Sequence, residues 1–94
     1  MTTASFSIRY YDPDGQETED RAALVTACAE LEKRLVNRIS SLDPASQVSR
    51  ESNARHVSFS VLSPAADRSR VLEIILEDLD FLDLLQWSEK ISCS

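Results

Sequence analysis

The chain has 94 residues, 43% of them hydrophobic and 28% charged, which is typical of one small globular domain. Ten basic against sixteen acidic residues give a net charge of -6, which disfavours direct binding to nucleic acid or to an anionic membrane surface. No apolar stretch reaches the roughly 18 residues that span a bilayer, and the first residues do not resemble a signal peptide, so we expect a cytoplasmic protein without membrane contact.

Alternating apolar residues near the start of the chain predict a half-buried strand. Phe6, Ile8 and Tyr10 share one parity. The sequence Asp-Pro-Asp-Gly at positions 12–15 then predicts a turn, because proline fixes φ and glycine tolerates positive φ. The carboxylates at positions 12–20 lack the ligand spacing of a helix-loop-helix calcium site, so we interpret them as a solvated acidic turn before a helix.

Helical spacing follows from about Asp20 to Leu42. One stripe of this helix is apolar and predicts a buried face, and Asp43-Pro44 ends the helix. Because Cys28 lies on that face and Cys93 is next to last in the chain, we expect two free thiols and a reducing compartment. The stripe consists of Leu24, Cys28, Leu31, Leu35, Ile39 and Leu42, with Val25 and Val36 at its edge.

The middle of the chain contains one ambiguous and one clear segment. The polar stretch 45–54 predicts either a loop or a short polar edge strand around Gln47 to Ser52. Alternation of Val57, Phe59 and Val61 predicts a strand as clear as the first. Ser63-Pro64 has the residues of an N-cap and a first helical position, so we expect a second helix from Pro64 to about Leu79. Its predicted buried face is Ala65, Leu72, Ile75, Leu76 and Leu79.

Beyond Asp80 the apolar residues no longer fit one face of a helix. Leu85, Trp87 and Ile91 share a parity, which predicts a last strand from about Leu84 to Ile91. The order of elements indicates a single α+β domain over residues 1–94, a two-layer ferredoxin-like split βαβ sandwich (βαββαβ) with the first and third strands central. If the polar stretch is a loop, the alternative is a three-stranded βαβαβ sheet.

The sequence predicts no catalytic residue, no metal site and no cofactor. Its one histidine, His56, lies on the sheet face away from the helices, without an orienting carboxylate. RNA-binding domains of this topology carry stacking aromatic residues on that face, whereas Phe59 has the parity of the core. The face is expected to be solvated or to accept a second sheet. Its predicted members are Ser5, Ser7, Arg9, Tyr11, His56, Ser58, Ser60, Gln86, Ser88 and Lys90.

The second helix places its charges against its own dipole. Arg70 lies near the positive end, and Glu77 and Asp78 lie near the negative end. Ile74 points about 200° away from the predicted core face and falls in this polar stripe. Two antiparallel copies of the helix would place Ile74 against Ile74 and Arg70 near the carboxylates of the other copy. We therefore predict a partner interface formed by Arg70, Ile74, Glu77, Asp78, Asp80 and Asp83.

The expected function is a non-catalytic protein-interaction or regulatory module, a homodimer that presents an acidic surface to a protein partner. Two alternatives remain open. One is a small acidic inhibitor that imitates nucleic acid and blocks a basic protein such as a nuclease. The other is a small dimeric enzyme with a pocket between helices and sheet, using His56 or Tyr11.

Overall fold

A computed structural model describes residues 1–10 and 21–94, and in these residues the main elements follow the order strand, helix, strand, strand, helix, strand. The strands are β1 (Thr2–Arg9), β2 (Gln47–Ser52), β3 (His56–Ser63) and β4 (Ser88–Cys93), and the helices are α1 (Arg21–Leu42) and α2 (Arg68–Phe81). A short 3₁₀ turn, Leu85–Trp87, precedes β4. The predictions for Tyr11, for the turn at 12–15 and for the carboxylates at 12–20 lie outside the described residues.

The strands form one four-stranded antiparallel sheet in the order β2-β3-β1-β4. The two clearly alternating strands, β1 and β3, are central, as their sequences indicate. Phe6 and Phe59 are opposite each other in the register, and their rings stack with centroids 4.9 Å apart. At the other side of β1, Thr3 and Ser94 exchange backbone hydrogen bonds of 2.8 and 2.9 Å. Since β2 is part of the sheet, the three-stranded alternative is wrong.

One face of the sheet packs against both helices and forms the core of this α+β sandwich. Alternate residues of the central strands are buried, and α1 buries the predicted stripe except for Leu42, which is 43% exposed. Neither α1 nor α2 has the length and apolar character that crossing a bilayer requires. The buried apolar residues of β1, β3 and α1 are Ala4, Phe6, Ile8, Val57, Phe59, Val61, Leu24, Cys28, Leu31, Leu35 and Ile39.

The start of α2 differs from the prediction. Asp67, not Ser63, is the N-cap, and the helix begins at Arg68. Ser63 is the buried last residue of β3, and its hydroxyl donates to a carboxylate oxygen of Asp43 at 3.0 Å. The same carboxylate accepts the backbone N–H of Ala65 at 2.7 Å. Because Asp43 binds both groups, residues 63–66 lie over the end of α1 and do not start a helix.

The buried face of α2 is also rotated from the predicted one. Val71, Ile74, Ile75, Asp78 and Leu79 are buried, with the i, i+3, i+4, i+7, i+8 spacing of an amphipathic helix. Leu76, which was expected in the core, is 39% exposed. The charge of Asp78 conceals this phase in the sequence, because a carboxylate is expected to face solvent.

The last strand begins later than predicted. Leu84 is buried, Leu85 and Ile91 are 42% and 38% exposed, and Trp87 packs partly against the core. The 3₁₀ turn and a register shift between β1 and β4 break the predicted alternation.

Candidate functional site

The predicted self-association surface loses its central residue. Ile74 is 1% exposed and belongs to the core, so its predicted exposure is wrong. Arg70 forms its ion pairs within its own helix, to Glu73 at 2.6 Å and to Glu77 at 3.8 Å. The pairing of α2 with a second α2 about Ile74 therefore has no apolar contact at its centre.

A buried ion cluster joins the two helices in place of that contact. The side chain of Asp78 is fully buried, and its Oδ1 atom accepts Nε and Nη2 of Arg34 at 3.2 and 3.1 Å and Nη1 of Arg38 at 2.6 Å. Asp78 Oδ2 is buried without a hydrogen-bond partner among the described residues. Hydrogen bonds to Asp78 and then to Glu77 raise the pKa of Arg38 above its ordinary value. Two guanidinium groups thus compensate the desolvation of one carboxylate.

Phe81 lies one helical turn beyond this cluster and is the most exposed aromatic residue of the described chain. Its exposure is 69%, and the Arg34 guanidinium stacks over the ring at 4.1 Å from the centroid. The hydrogen bonds of Arg34 to Asp78 fix the guanidinium that lies against the ring. Phe81 is therefore an apolar surface residue whose ring is held in position by the Arg34 guanidinium.

Three exposed carboxylates, Glu77, Asp80 and Asp83, lie within four residues of Phe81 at the end of α2. Glu77 accepts a hydrogen bond from Arg38 at 3.0 Å, whereas Asp80 and Asp83 form no ion pair within the described residues. Asp83 has a φ of 59°, in the left-handed region that closes the helix. We call Arg34, Glu77, Asp80, Phe81 and Asp83 the Phe81 site.

The open face of the sheet carries hydroxyl groups, as predicted, but differs at its β4 edge. Ser7 is opposite Glu89, so Glu89 lies on this face, and Ser88 is opposite the core residue Ile8. The guanidinium of Arg9 lies 3.9 Å from Glu89. The predicted placement of Ser88 on the open face is wrong because the register shift moves β4 by one residue.

His56 lies at one end of this open face, opposite Arg9. Its Nε2 atom is 3.4 Å from Nδ2 of Asn53, an amide that cannot orient the ring as a carboxylate does. Asn53 also accepts the N–H groups of Arg55 and His56 through its side-chain oxygen. Among the described residues, the contacts of His56 are those of a turn and include no group that would activate it as a base.

Asp43 is a second buried carboxylate, which the sequence indicated only as a helix stop. It accepts backbone N–H groups of Ala65 and Ala45 and the hydroxyl of Ser63. These bonds, the one from Ala65 first, lower the pKa of Asp43. All of them join chain segments, so we assign Asp43 a structural role.

Within residues 1–10 and 21–94 no group of three or more His, Cys, Asp or Glu side chains could hold a metal ion. Comparison with known proteins finds no family model that matches the chain and no curated protein with significant sequence similarity to it. Sequence reasoning missed Phe81 because the phase of α2 was misjudged. If Asp78 is assigned to the buried face of α2, Phe81 lies about one helical turn after it, on the side of α2 that faces α1.

Proposed function

We propose that the protein is a non-catalytic interaction module, built as a ferredoxin-like split βαβ sandwich, that binds a protein partner at the Phe81 site. The order of elements and the strand order β2-β3-β1-β4 support the split βαβ assignment. The observation that carries the functional proposal is the 69% exposure of Phe81, the most exposed aromatic side chain of the described residues.

Phenylalanine and arginine are both enriched at protein interfaces relative to the rest of the protein surface. Removing such a ring from water stabilises a complex roughly in proportion to the apolar area covered. Arg34 already holds the ring in place through Asp78, so less side-chain freedom is lost when a partner binds.

The charges near Phe81 support a basic partner. Asp80 and Asp83 lie at the negative end of the α2 dipole, where cations are favoured and anions are not. Lysine or arginine side chains of a partner would neutralise both carboxylates while an apolar side chain covers Phe81. The partner we propose therefore presents a basic and apolar segment, such as an amphipathic basic helix.

A synthetic amphipathic helical peptide of lysine and leucine is a suitable probe for this site. In an NMR titration we expect the backbone amides of residues 77–85 to shift. Phe81→Ala should weaken binding by about tenfold, because it removes the central apolar contact. Leu76→Ala is the matched control, since Leu76 is 39% exposed on another side of the same helix, and it should keep the wild-type affinity.

Salt dependence tests the electrostatic part of the proposal. Asp80→Asn combined with Asp83→Asn should lower the affinity and flatten its dependence on salt. Asparagine tolerates the positive φ of Asp83, so the fold should be retained. Peptide-induced shifts confined to the open sheet face, or equal effects of Phe81→Ala and Leu76→Ala, would contradict the proposal.

A further inference from the structure

The outer edge of β2 pairs with no described residue. On its inner side β2 pairs with β3 over its full length, from Gln47 opposite Leu62 to Ser52 opposite Val57, without a register shift. Next to this ladder, the backbone N–H of Asn53 donates to the carbonyl of His56 at 2.9 Å.

This hydrogen bond fixes which residues of β2 face outward. In an antiparallel ladder hydrogen-bonded pairs alternate with non-hydrogen-bonded pairs, so Gln47, Ser49 and Glu51 bond to β3. The backbone N–H and C=O groups of Val48 and Arg50 then point away from the sheet. No described residue forms a hydrogen bond with these groups.

The β2 edge carries one inward-pointing charge, Arg50, which forms an ion pair with Glu32 of α1, and is otherwise regular. It contains no proline and no bulge. The opposite edge, β4, has a register shift against β1 and a positive φ of 57° at Lys90. Of the two edges, only β2 offers a regular ladder.

A groove lies beside this edge, lined by Val36 of α1 and by residues of β1, β2 and β3. Val36 of α1 is 43% exposed, and Val36 and Val48 line the groove together. Arg50 is directed toward the same helix, with its Nε 3.7 Å from Glu32. A strand added to β2 would therefore cover apolar side chains as well as backbone groups.

We propose that a second copy of this chain occupies the edge, with β2 antiparallel to β2 about a two-fold axis at Ser49. In this register Val48 is opposite Arg50 of the second copy, and Gln47 is opposite Glu51 of the second copy. The Gln47 amide donates to that carboxylate, and the aliphatic part of Arg50 covers Val48. The two four-stranded sheets become one continuous sheet.

Neighbouring registers are less favourable. A shift of two residues in one direction places Arg50 opposite Arg50, with repulsion between like charges. The shift in the other direction pairs Arg50 with Ser46, whose N–H already donates to the Asp43 carbonyl at 3.0 Å. The register centred on Ser49 is the one that combines free backbone groups with compatible side chains. This inference does not depend on the Phe81 site.

Cysteine cross-linking tests the register directly. In a Cys93→Ser background, Ser49→Cys should form a disulfide-linked dimer with diamide, because opposite residues of a non-hydrogen-bonded pair have Cα atoms about 4.5 Å apart. Glu51→Cys is the matched control on the same exposed strand face. Its two copies would be four residues out of register, about 13 Å apart, and should not cross-link.

Two substitutions at Arg50 separate backbone pairing from side-chain effects. Arg50→Ala and Arg50→Pro both remove the charge. Only Arg50→Pro also removes the outward N–H, and proline is tolerated on an edge strand. Sedimentation should give a dimer dissociation constant at least about tenfold higher for Arg50→Pro than for Arg50→Ala. A wild-type protein that is monomeric at about 100 μM would overturn the proposal, since specific dimers of this kind bind more tightly. Equal cross-linking of Ser49→Cys and Glu51→Cys would also overturn it.

Discussion

Asp43 shows how one carboxylate can hold three chain segments together. The link between α1 and β2, the end of β3 and the link between β3 and α2 all donate hydrogen bonds to its side chain. Backbone N–H groups are strong donors that need an acceptor once they are buried, and Asp43 supplies it. These hydrogen bonds therefore favour the ionised form of Asp43 in the folded protein.

Acid should remove the contribution of Asp43 to stability. Its pKa is lowered in the folded protein, so the contribution is complete above the unfolded pKa of about 4 and is lost as the pH falls through the folded pKa. Asp43→Asn should reduce stability near neutral pH and make the variant less sensitive to acid. Urea unfolding at about pH 7 and about pH 3 measures both effects.

Asp67→Asn is the control for this measurement. Asp67 is exposed and makes no side-chain capping bond, so its variant should keep the wild-type difference between the two pH values. If Asp43→Asn loses as much stability between the two pH values as the wild type does, other carboxylates cause the sensitivity to acid.

Cys28 should be chemically inert in the folded protein. Burial raises the pKa of its thiol to about 11, against an opposing effect of the Arg50 charge. Only the thiolate reacts with iodoacetamide, so Cys28 in a Cys93→Ser variant should label at least about a hundredfold more slowly at pH 8 than in urea. Rapid labelling under native conditions would mean that this part of α1 opens readily.

At the scale of elements, stability should follow the observed core. Leu31→Ala in α1 and Phe59→Ala in β3 should each lower the free energy of unfolding by about 2–5 kcal/mol, because each leaves a cavity. Val25→Ala, at a 43% exposed position of α1, should change it by no more than about 0.5 kcal/mol. Calorimetry or urea unfolding measures all three. Similar losses for Val25 and Leu31 would contradict the assigned face of α1.

The Asp78 cluster gives the second prediction for elements. Asp78→Ala should destabilise the protein by about 1–3 kcal/mol, less than for a wholly buried pair because Arg34 and Arg38 remain partly in water. Asp78→Leu should be more stable than Asp78→Ala, since leucine restores the apolar spacing of α2. Both variants free Arg34, so both should bind the basic peptide more weakly at Phe81. If the affinity for the peptide does not change, the Asp78 cluster does not contribute to binding at the Phe81 site.

Some of these elements can be predicted from the sequence and others cannot. The central strands and α1 are predictable because their apolar periods are unbroken. The phase of α2 is not, because Asp78 is buried by arginines that come from another helix 40 or more residues away. β2 stays ambiguous because an edge strand with little burial has no strong pattern. Of the predicted interface residues, Glu77, Asp80 and Asp83 are all exposed. The exposure of Phe81 can be predicted only when the buried face of α2 is assigned correctly.

For the whole molecule, negative charge is distributed unevenly along the chain. Five of the sixteen acidic residues lie at positions 12–20 without a basic residue among them, so the rest of the chain has eleven acidic and ten basic residues. An inhibitor that imitates nucleic acid would rely on those five, whereas the Phe81 site would not. The two functions therefore make opposite predictions about their removal.

Neutralising all five carboxylates to asparagine or glutamine should leave binding of the basic peptide nearly unchanged. The Phe81 site keeps its own carboxylates, and these supply the charges that we propose to pair with the peptide. Titration calorimetry of wild type and variant at two salt concentrations measures this. Loss of most of the affinity would favour the inhibitor.

The hydrogen bonds between Thr3 and Ser94 have a mechanical consequence. They place the ends of the described chain side by side at one end of the β1–β4 ladder. Tension applied at residues 1 and 94 therefore acts across the ladder and breaks its bonds one pair after another, without loading them all at once. β4 would peel from β1 at low force while the stacked pair Phe6 and Phe59, on the other side of β1, is still protected. Force applied at residues 1 and 94 therefore unzips the sheet from its β4 edge.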